Sequence, residues 1–295
     1  MMQKPPWLKK RIPPVHEIQK VQWILEKTTL HTVCEEARCP NLGECFSQGT
    51  ATVLIMGRIC SRNCGFCAVQ HGTPSPLDPH EPEHVAQAVK EMKLRYVVIT
   101  SVTRDDLPDG GASHYGQVIR AIRCVHPEIE VEVLIPDFQG DLDSLFSVLR
   151  ERPQVLNHNV ETVPRLYPLV RPQADYGRSL HLLKTARELS PGSLTKSGLM
   201  IGLGENREEI LGLMRDLREA GVNLLTIGQY LQPRSDRLPV VRYIPPEEFE
   251  ELKRTGEELG FKSVASGPFV RSSYHAARMT LETRHRTPDF RHQTE

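Results

Sequence analysis

The sequence has no run of about 18 consecutive apolar residues, so no transmembrane helix is expected. Its N-terminus lacks the apolar core of a secretory signal. The cytoplasm is therefore the expected location, and disulfides are disfavoured there. Net charge is absent as well: 37 Lys and Arg balance 37 Asp and Glu, so no global field draws nucleic acid or an anionic membrane, and neither is expected as a partner. The basic start (Lys4, Lys9, Lys10, Arg11) is short and broken by Pro5, Pro6, Pro13 and Pro14, which reads as an arm rather than a nucleic-acid patch. Low-complexity tracts and solenoid-length repeats are missing. G-x-S-x-G and H-E-x-x-H are missing too, which removes the common hydrolase signatures. No G-x-G-x-x-G follows the first strand, which weighs against a dinucleotide site.

Cysteine is what the chain has in the wrong place for an ordinary soluble protein. Six of its seven cysteines lie between residues 34 and 67. Cys34, Cys39 and Cys45 form C-x4-C-x5-C; Cys60, Cys64 and Cys67 form C-x3-C-x2-C. Structural zinc prefers paired C-x2-C knuckles that close a four-ligand tetrahedron, and triplets at these spacings miss that rule even if His31 or His71 assists. Thiolates also suit iron–sulfur clusters, and a four-iron cube held by three cysteines leaves one iron open. An open position marks a reactive metal rather than a structural one. Two triplets thus suggest two such clusters. Phe66 lies where an apolar ring can shield the second, and Cys124, at helical spacing beside Ile122 and Val125, reads as a small buried hydrophobe.

Residues 1–49 read as irregular, with a short helix near 16–27. From residue 50 a regular rhythm begins. Apolar, β-branched runs at 50–56, 96–102, 130–136, 155–161, 195–203 and 224–230 alternate with helical spacing at 83–93, from a Ser113 cap to residue 125, 141–150, 179–189, 207–220 and 246–259. Six strand-then-helix units imply a parallel sheet, open or barrel-shaped, with ligands at the carboxyl ends of the strands. The Gly-rich and charged segments CSRNCGFC, TRDDLPDGG, NHNVET, GLGEN and GQYLQPR all follow strands.

C-x3-C-x2-C after the first strand resembles the radical S-adenosylmethionine superfamily. That resemblance implies a [4Fe–4S] cluster on Cys60, Cys64 and Cys67, with the cofactor's amine and carboxylate on the fourth iron. The stretches CEEARCPNLGECF, TSVTRDDLPDGG, LNHNVET, TKSGLMIGLGE, LTIGQYLQP and SGPFVRSSYHA narrow the match: residues 30–277 resemble lipoyl synthases. The implied fold is α/β, a partial (β/α)6 TIM-type barrel at 50–262. An N-terminal extension (1–49) carries the first triplet, and a C-terminal extension (263–295) carries Arg271-Ser272-Ser273-Tyr274. The implied reaction inserts two sulfur atoms at carbons 6 and 8 of an octanoyl chain amide-linked to a carrier lysine. The cluster and S-adenosylmethionine generate a 5′-deoxyadenosyl radical, and two cofactor molecules are used per lipoyl group. A second, sacrificial [4Fe–4S] cluster on Cys34, Cys39, Cys45 and a serine supplies the sulfur. Ser273 is favoured as that serine and Ser272 is the alternative; their cluster would fasten the two chain ends over the barrel mouth. Unactivated C–H bonds are beyond any protein acid or base, so no acid–base catalyst is expected.

By the same resemblance Thr100, Ser101, Asn159, Glu161, Arg171 and Gly202 are candidate S-adenosylmethionine contacts. Gly198, Gly202 and Glu205 match the superfamily's G-x-I-x-G-x-x-E pattern, with Met200 in the Ile position; strand-to-turn packing explains these glycines equally well. Arg104, Asp105 and Asp106 also suit a structural ion network, His158 a hydrogen-bonded rim or core histidine rather than a metal ligand, and Met200 and Met214 the core. The expected partners are octanoylated lipoyl carrier domains of 2-oxoacid dehydrogenases and the glycine cleavage H protein, an electron donor such as flavodoxin or ferredoxin, and an iron–sulfur carrier protein. Arg237 stands where the family usually has histidine before LPV. A radical enzyme with another substrate, or a non-catalytic electron-transfer module, competes with this assignment. The upstream triplet with RSSY argues against the first, and the open-iron spacings on a large βα body argue against the second.

Overall fold

The computed structural model describes residues 3–9, 15–48 and 51–285. Lys10, Arg11, Pro13 and Pro14 of the basic arm, Thr50 at the start of the first expected strand, and the end of the C-terminal extension lie outside the described residues.

The N-terminal segment contains helix α1 (Val15–Lys27), strand β1 (His31–Thr32) and short helices α2 (Val33–Glu36) and α3 (Leu42–Ser47). Strand β2 (Thr52–Ile55) follows, then two-residue strands β3 (Ile59–Cys60) and β4 (Gln70–His71), which pair in parallel. The repeating part runs α4 (Glu81–Glu91), β5 (Tyr96–Ser101), α5 (Ala112–Val125), β6 (Glu130–Leu134), α6 (Leu142–Leu149) and β7 (Val155–Asn157). A single turn α7 (Tyr167–Val170) precedes α8 (Tyr176–Leu189), β8 (Leu194–Ile201), α9 (Arg207–Glu219), β9 (Leu224–Gln229), α10 (Pro246–Glu258), β10 (Ser263–Gly267) and α11 (Ala276–His285).

The main sheet has the order β1-β2-β5-β6-β7-β8-β9-β10. Only the β1–β2 pair is antiparallel. The edge strands do not pair with each other, so the barrel is partial, as expected. Six strands fall where hydrophobic patterning predicts them. The sheet then continues past residue 262: β10 pairs with β9 from Ser263↔Leu224 to Gly267↔Gly228. Its sequence, SVASG, is too short, small and polar to announce a strand. β7 stops early because the chain bends after Asn157; Glu161 takes a positive φ of 65° and keeps one isolated bridge to Leu199.

Alternation along each strand divides core from cavity. On β5, Val97 and Ile99 pack outward beneath the helices, while Tyr96, Val98 and Thr100 line the interior. Val21, Ile24, Leu25, Leu30 and Phe46 of the N-terminal segment join the same core cluster, so that segment is structured rather than irregular. α5 begins one residue before Ser113, and Asp109 accepts from the Gly111 and Ser113 amides in place of a Ser113 cap. Its inward face is Tyr115, Val118, Ile119 and Ile122. Cys124 is exposed, because it lies off that i, i+3, i+4, i+7 stripe.

After β10 the chain doubles back across β9. A Cβ on Gly228 would meet the Val270 carbonyl at 2.1 Å, so only glycine permits the crossing. α11 then packs Met279 against Val155 and Leu224, the first residues of β7 and β9. It closes the amino-terminal end of the barrel. Beneath the cavity Lys196 and Glu132, both fully buried, pair at 2.9 Å. Tyr96 donates to Glu132 at 2.6 Å and meets Thr280 of α11 at 3.1 Å. Among the described residues no helix is long and apolar enough to cross a membrane.

Removing one partner of a buried pair leaves an uncompensated charge. Lys196→Met is expected to cost about 3–5 kcal/mol in urea denaturation, and adding Glu132→Gln should recover much of the loss.

Candidate functional site

A cavity of about 1000 Å³ occupies the barrel interior. All six clustered cysteines line it, together with Thr100, Ser101, His158, Asn159, Glu161, Arg171, Ser272 and Ser273. Each cysteine is a free thiol.

The triplets approach from opposite ends of β2. Cys60 follows that strand, at its carboxyl end, on the loop 60–67. Cys34 is carried by the β1–β2 register, Thr32↔Val53, to the strand's first residue, and the Thr52 backbone hydrogen-bonds its sulfur. A four-residue strand separates them by ~10 Å. The first triplet is therefore not over the mouth formed by the carboxyl ends, as the resemblance suggested. It sits at the amino-terminal side, because β1 runs antiparallel down β2. The N-terminal segment and the chain after β10 are tied by side chains: Asn41 donates to the Phe269 carbonyl at 2.7 Å and Tyr274 to Glu44 at 2.6 Å.

Loop 60–67 is held from several sides. Its Arg62, buried between two cysteines in sequence, donates to both Asp105 oxygens at 2.6 and 2.9 Å and to Asp137 at 2.6 Å. Arg237 donates to the Asn63 side chain at 2.7 Å and to the Cys64 carbonyl at 3.5 Å. The Gly65 amide reaches the Val170 carbonyl at 2.9 Å. Arg104 pairs with Asp106 at 2.8 Å, so the TRDD segment is an ion network, half of which clamps the loop. Arg62 and Asp137 escaped the sequence reading; the signal was an arginine inside the C-x3-C spacing with an acid at a neighbouring strand end.

The thiols fit a cluster rather than a lone ion. Burial pushes Cys34 and Cys67 up to about 12 and Cys64 up to about 11, with the neighbouring cysteines of each triplet adding to the shift. Ionised sulfurs here need cationic iron and N–H donors. Cys60 accepts amide N–H bonds from Arg62 at 3.4 Å and Thr103 at 3.3 Å. Among the described residues no three of His, Cys, Asp and Glu converge to grip one metal ion. A four-iron cube asks for wider spacing, since each thiolate meets a different iron.

Two buried polar atoms on the cavity wall, Asn159 Oδ1 and Arg171 Nε, have no hydrogen-bond partner among the described residues. Unmet acceptors and donors of this kind fit a zwitterionic ligand. Arg171 otherwise donates to the Asn159 carbonyl at 2.8 Å. Burial raises the Glu161 carboxyl above its usual range, against the pull of Arg171 and Asn159. Thr100 and Ser101 end β5 at the cavity, with the Thr100 hydroxyl donating to the Leu134 carbonyl at 3.0 Å. Gly198 lies on the wall, where a Cβ would meet Thr226 at 2.4 Å. Gly202 lies off it. Its φ is 102°, its amide donates to Glu205, and a Cβ would strike the Arg242 carbonyl at 2.5 Å, all marks of turn packing. His158 is buried and neutral, held down to about 4 by burial and then by Arg171, with ring nitrogens on the Ile135 carbonyl and Ser179. Met214 is core, whereas Met200 and Phe66 face the cavity. The Ser272 hydroxyl takes a 3.2 Å bond from Asn159; that of Ser273 has no hydrogen bond among the described residues.

Residues 54–217 match the radical SAM superfamily, and residues 1–39 match the N-terminal domain of lipoyl synthase. The lipoyl synthase of Rubrobacter xylanophilus is 58% identical over 95% of this chain and 88% of its own length. That of Acidithiobacillus ferrooxidans is 58% identical over 93% and 87%. The chain belongs to the lipoyl synthase family. Solved structures of lower similarity share the fold: methylornithine synthase (TM-score 0.52, 14% identity, 93% of this chain and 81% of that one) and Streptococcus suis SuiB bound to its precursor peptide (0.57, 12%, 90% and 57%). As a lipoyl synthase of the radical SAM superfamily, the chain is a sulfur-inserting enzyme that works with a [4Fe–4S] cluster and S-adenosylmethionine.

The Asp137 carboxyl is fully buried, yet Arg62 outweighs burial and holds it at about 2. Because the folded value lies below the ordinary 3.8, its contribution is full above about pH 4 and fades toward pH 2. Asp137→Asn should cost roughly 2 kcal/mol in urea denaturation at pH 7, with the gap to wild type narrowing at pH 3.

Proposed function

We propose that the cavity is where two sulfur atoms are inserted at carbons 6 and 8 of an octanoyl group on a carrier-domain lysine. The observation that carries this is the approach of two cysteine triplets to one cavity from opposite ends of β2. Cys60, Cys64 and Cys67 would hold the cluster that binds S-adenosylmethionine, with Thr100, Ser101, Asn159, Glu161 and Arg171 around the cofactor. When bound, that pair supplies the homolytic chemistry that removes hydrogen from unactivated carbon. Cys34, Cys39 and Cys45 would hold the second cluster, which is a sulfur substrate. Ser273 is its fourth ligand, since its hydroxyl is free while that of Ser272 is engaged by Asn159.

The protein's own work is positioning. Arg62, clamped by Asp105 and Asp137, and Arg237 from the other flank fix loop 60–67. Asn159 and Arg171 present an acceptor and a donor to the cofactor. Val98, Leu134 and Leu199 give an alkyl chain an apolar wall. The segment before β2 and the segment after β10 would act together in sulfur donation beside the βα body. The partners we assign are octanoylated domains of 2-oxoacid dehydrogenases and the glycine cleavage H protein, a flavodoxin or ferredoxin as reductant, and an iron–sulfur carrier that rebuilds the donor cluster, all in the cytoplasm.

Anaerobic reconstitution should load about eight irons per chain, as two four-iron clusters require. With reductant and S-adenosylmethionine, mass analysis of an octanoylated carrier should show a gain of two sulfurs. Cys34→Ala should retain 5′-deoxyadenosine formation and lose sulfur transfer, whereas Cys64→Ala should lose both. Deoxyadenosine without added sulfur on any octanoylated carrier would reject the assignment.

A further inference from the structure

The exposed part of the cavity lining carries one sign of charge. Lys4, Arg38, Lys93, Arg95 and Arg278 are all exposed and all line it, and no exposed lining residue is acidic. In a chain with 37 positive and 37 negative side chains this is a local segregation, not a consequence of composition. Lys4, Arg38, Lys93 and Arg95 have no ion pair among the described residues. The nearby acids face elsewhere: Glu91 pairs with Lys27 at 2.8 Å, and Glu35 takes the Thr32 hydroxyl at 2.8 Å. Only Arg278 is offset, by Glu282 at 2.8 Å.

These residues also locate the opening. Lys93 and Arg95 lead into β5, Arg38 follows Cys34 beside the first residue of β2, and Arg278 lies on α11 under the strand starts. Lining residues from the opposite rim, such as Phe66, Thr103, Pro136 and Gln232, are half-buried. The accessible mouth thus faces the amino-terminal ends of the strands. An octanoyl-lysyl amide is neutral and apolar and has no use for cations at its entrance. S-adenosylmethionine carries a sulfonium and gains nothing from them. The charge is suited to what surrounds the acylated lysine on a folded partner.

We propose that Lys4, Arg38, Lys93, Arg95 and Arg278 form a docking surface for an acidic face around the acyl-lysine of the carrier domain, so that the arm enters from the amino-terminal side, past Cys34, Cys39 and Cys45. This rests on the sulfur-insertion assignment. Exposed charges of this kind act through encounter rate and screen within a Debye length, so their signature is salt dependence.

The test uses the reconstituted full chain, with Arg95→Glu alone and with Lys93→Glu, on two substrates: an octanoylated acidic carrier domain and a short, uncharged octanoyl-lysyl peptide. For the carrier at low salt, KM should rise roughly tenfold in the double variant, with kcat held and the gap closing at high salt. Turnover of the peptide should not change. Equal loss on both substrates, or no loss on the carrier, overturns the docking surface. So does a wild-type chain that binds single-stranded RNA as tightly as the carrier and loses both through Arg95→Glu. A peptide that gains no sulfur even from wild type defeats the assignment beneath it instead.

Discussion

The burial of ionisable thiols is the constraint on which the rest of this structure depends. Burial pushes Cys34, Cys64 and Cys67 well above ordinary thiol values, so these sulfurs are neutral or bound to cationic metal, with little between. Buried iron ligands need fixed backbone. Loop 60–67 obtains it from Arg62, whose guanidinium is itself buried and is tolerable only because Asp105 and Asp137 take its charge. The carboxyl ends of three successive strands, β2, β5 and β6, are thereby locked together. The TRDD segment and Asp137 serve the metal loop without touching metal.

The N-terminal segment and the chain after β10 meet beside the same cavity. β1 is only two residues long, yet its antiparallel register fixes the depth of everything after it, since Thr32 opposite Val53 leaves Cys34 beside Thr52. The returning C-terminal segment crosses β9 at Gly228, near that strand's carboxyl end, and α11 then brings Met279 down to Leu224 at its start. The two cysteine triplets therefore lie at opposite ends of β2, with the cavity between them. This geometry also explains why α11 ends in the barrel floor. The Tyr96–Glu132–Lys196 network accepts Thr280, so the helix following the serine motif is seated on a fully buried ion pair.

Much of this was legible in the residues. Period-2 runs alternating with 3.6-period faces placed six of the seven parallel strands, because those strands lie in apolar, β-branched runs separated by amphipathic helices. β10 was not legible, since SVASG draws its place from pairing with β9 and carries almost no apolar signal of its own. Cys124 was misread because helical spacing fixes a face only in its centre, and the last turn of α5 leaves the core. Local spacing grouped the cysteines into threes. It could not place the first group at the amino-terminal side, because that depends on a long-range register. Gly202 shows the same limit: a glycine in a motif does not reveal whether a ligand or a neighbouring strand requires its bareness, and here the Arg242 carbonyl does.

Arg237 stands where the resemblance leads one to expect histidine, and its surroundings show what an arginine can do there. An imidazole offers one neutral donor of short reach. A guanidinium offers five donors in a rigid fork. Arg237 uses one nitrogen to join Asn63 and the Cys64 carbonyl, and Leu238 follows with its amide on the Gly65 carbonyl at 3.0 Å. The stretch after β9 is thus stitched to three consecutive residues of the metal loop. Asp236 is largely exposed and lies 3.8 Å from Arg237 Nε, which makes no hydrogen bond among the described residues, so it neutralises Arg237 only weakly. A buried cation so sparsely paired is costly unless negative charge arrives nearby. Metal-bound thiolates on loop 60–67 would bring it. The arginine that fastens loop 60–67 would therefore be better satisfied beside metal-bound thiolates than beside neutral thiols.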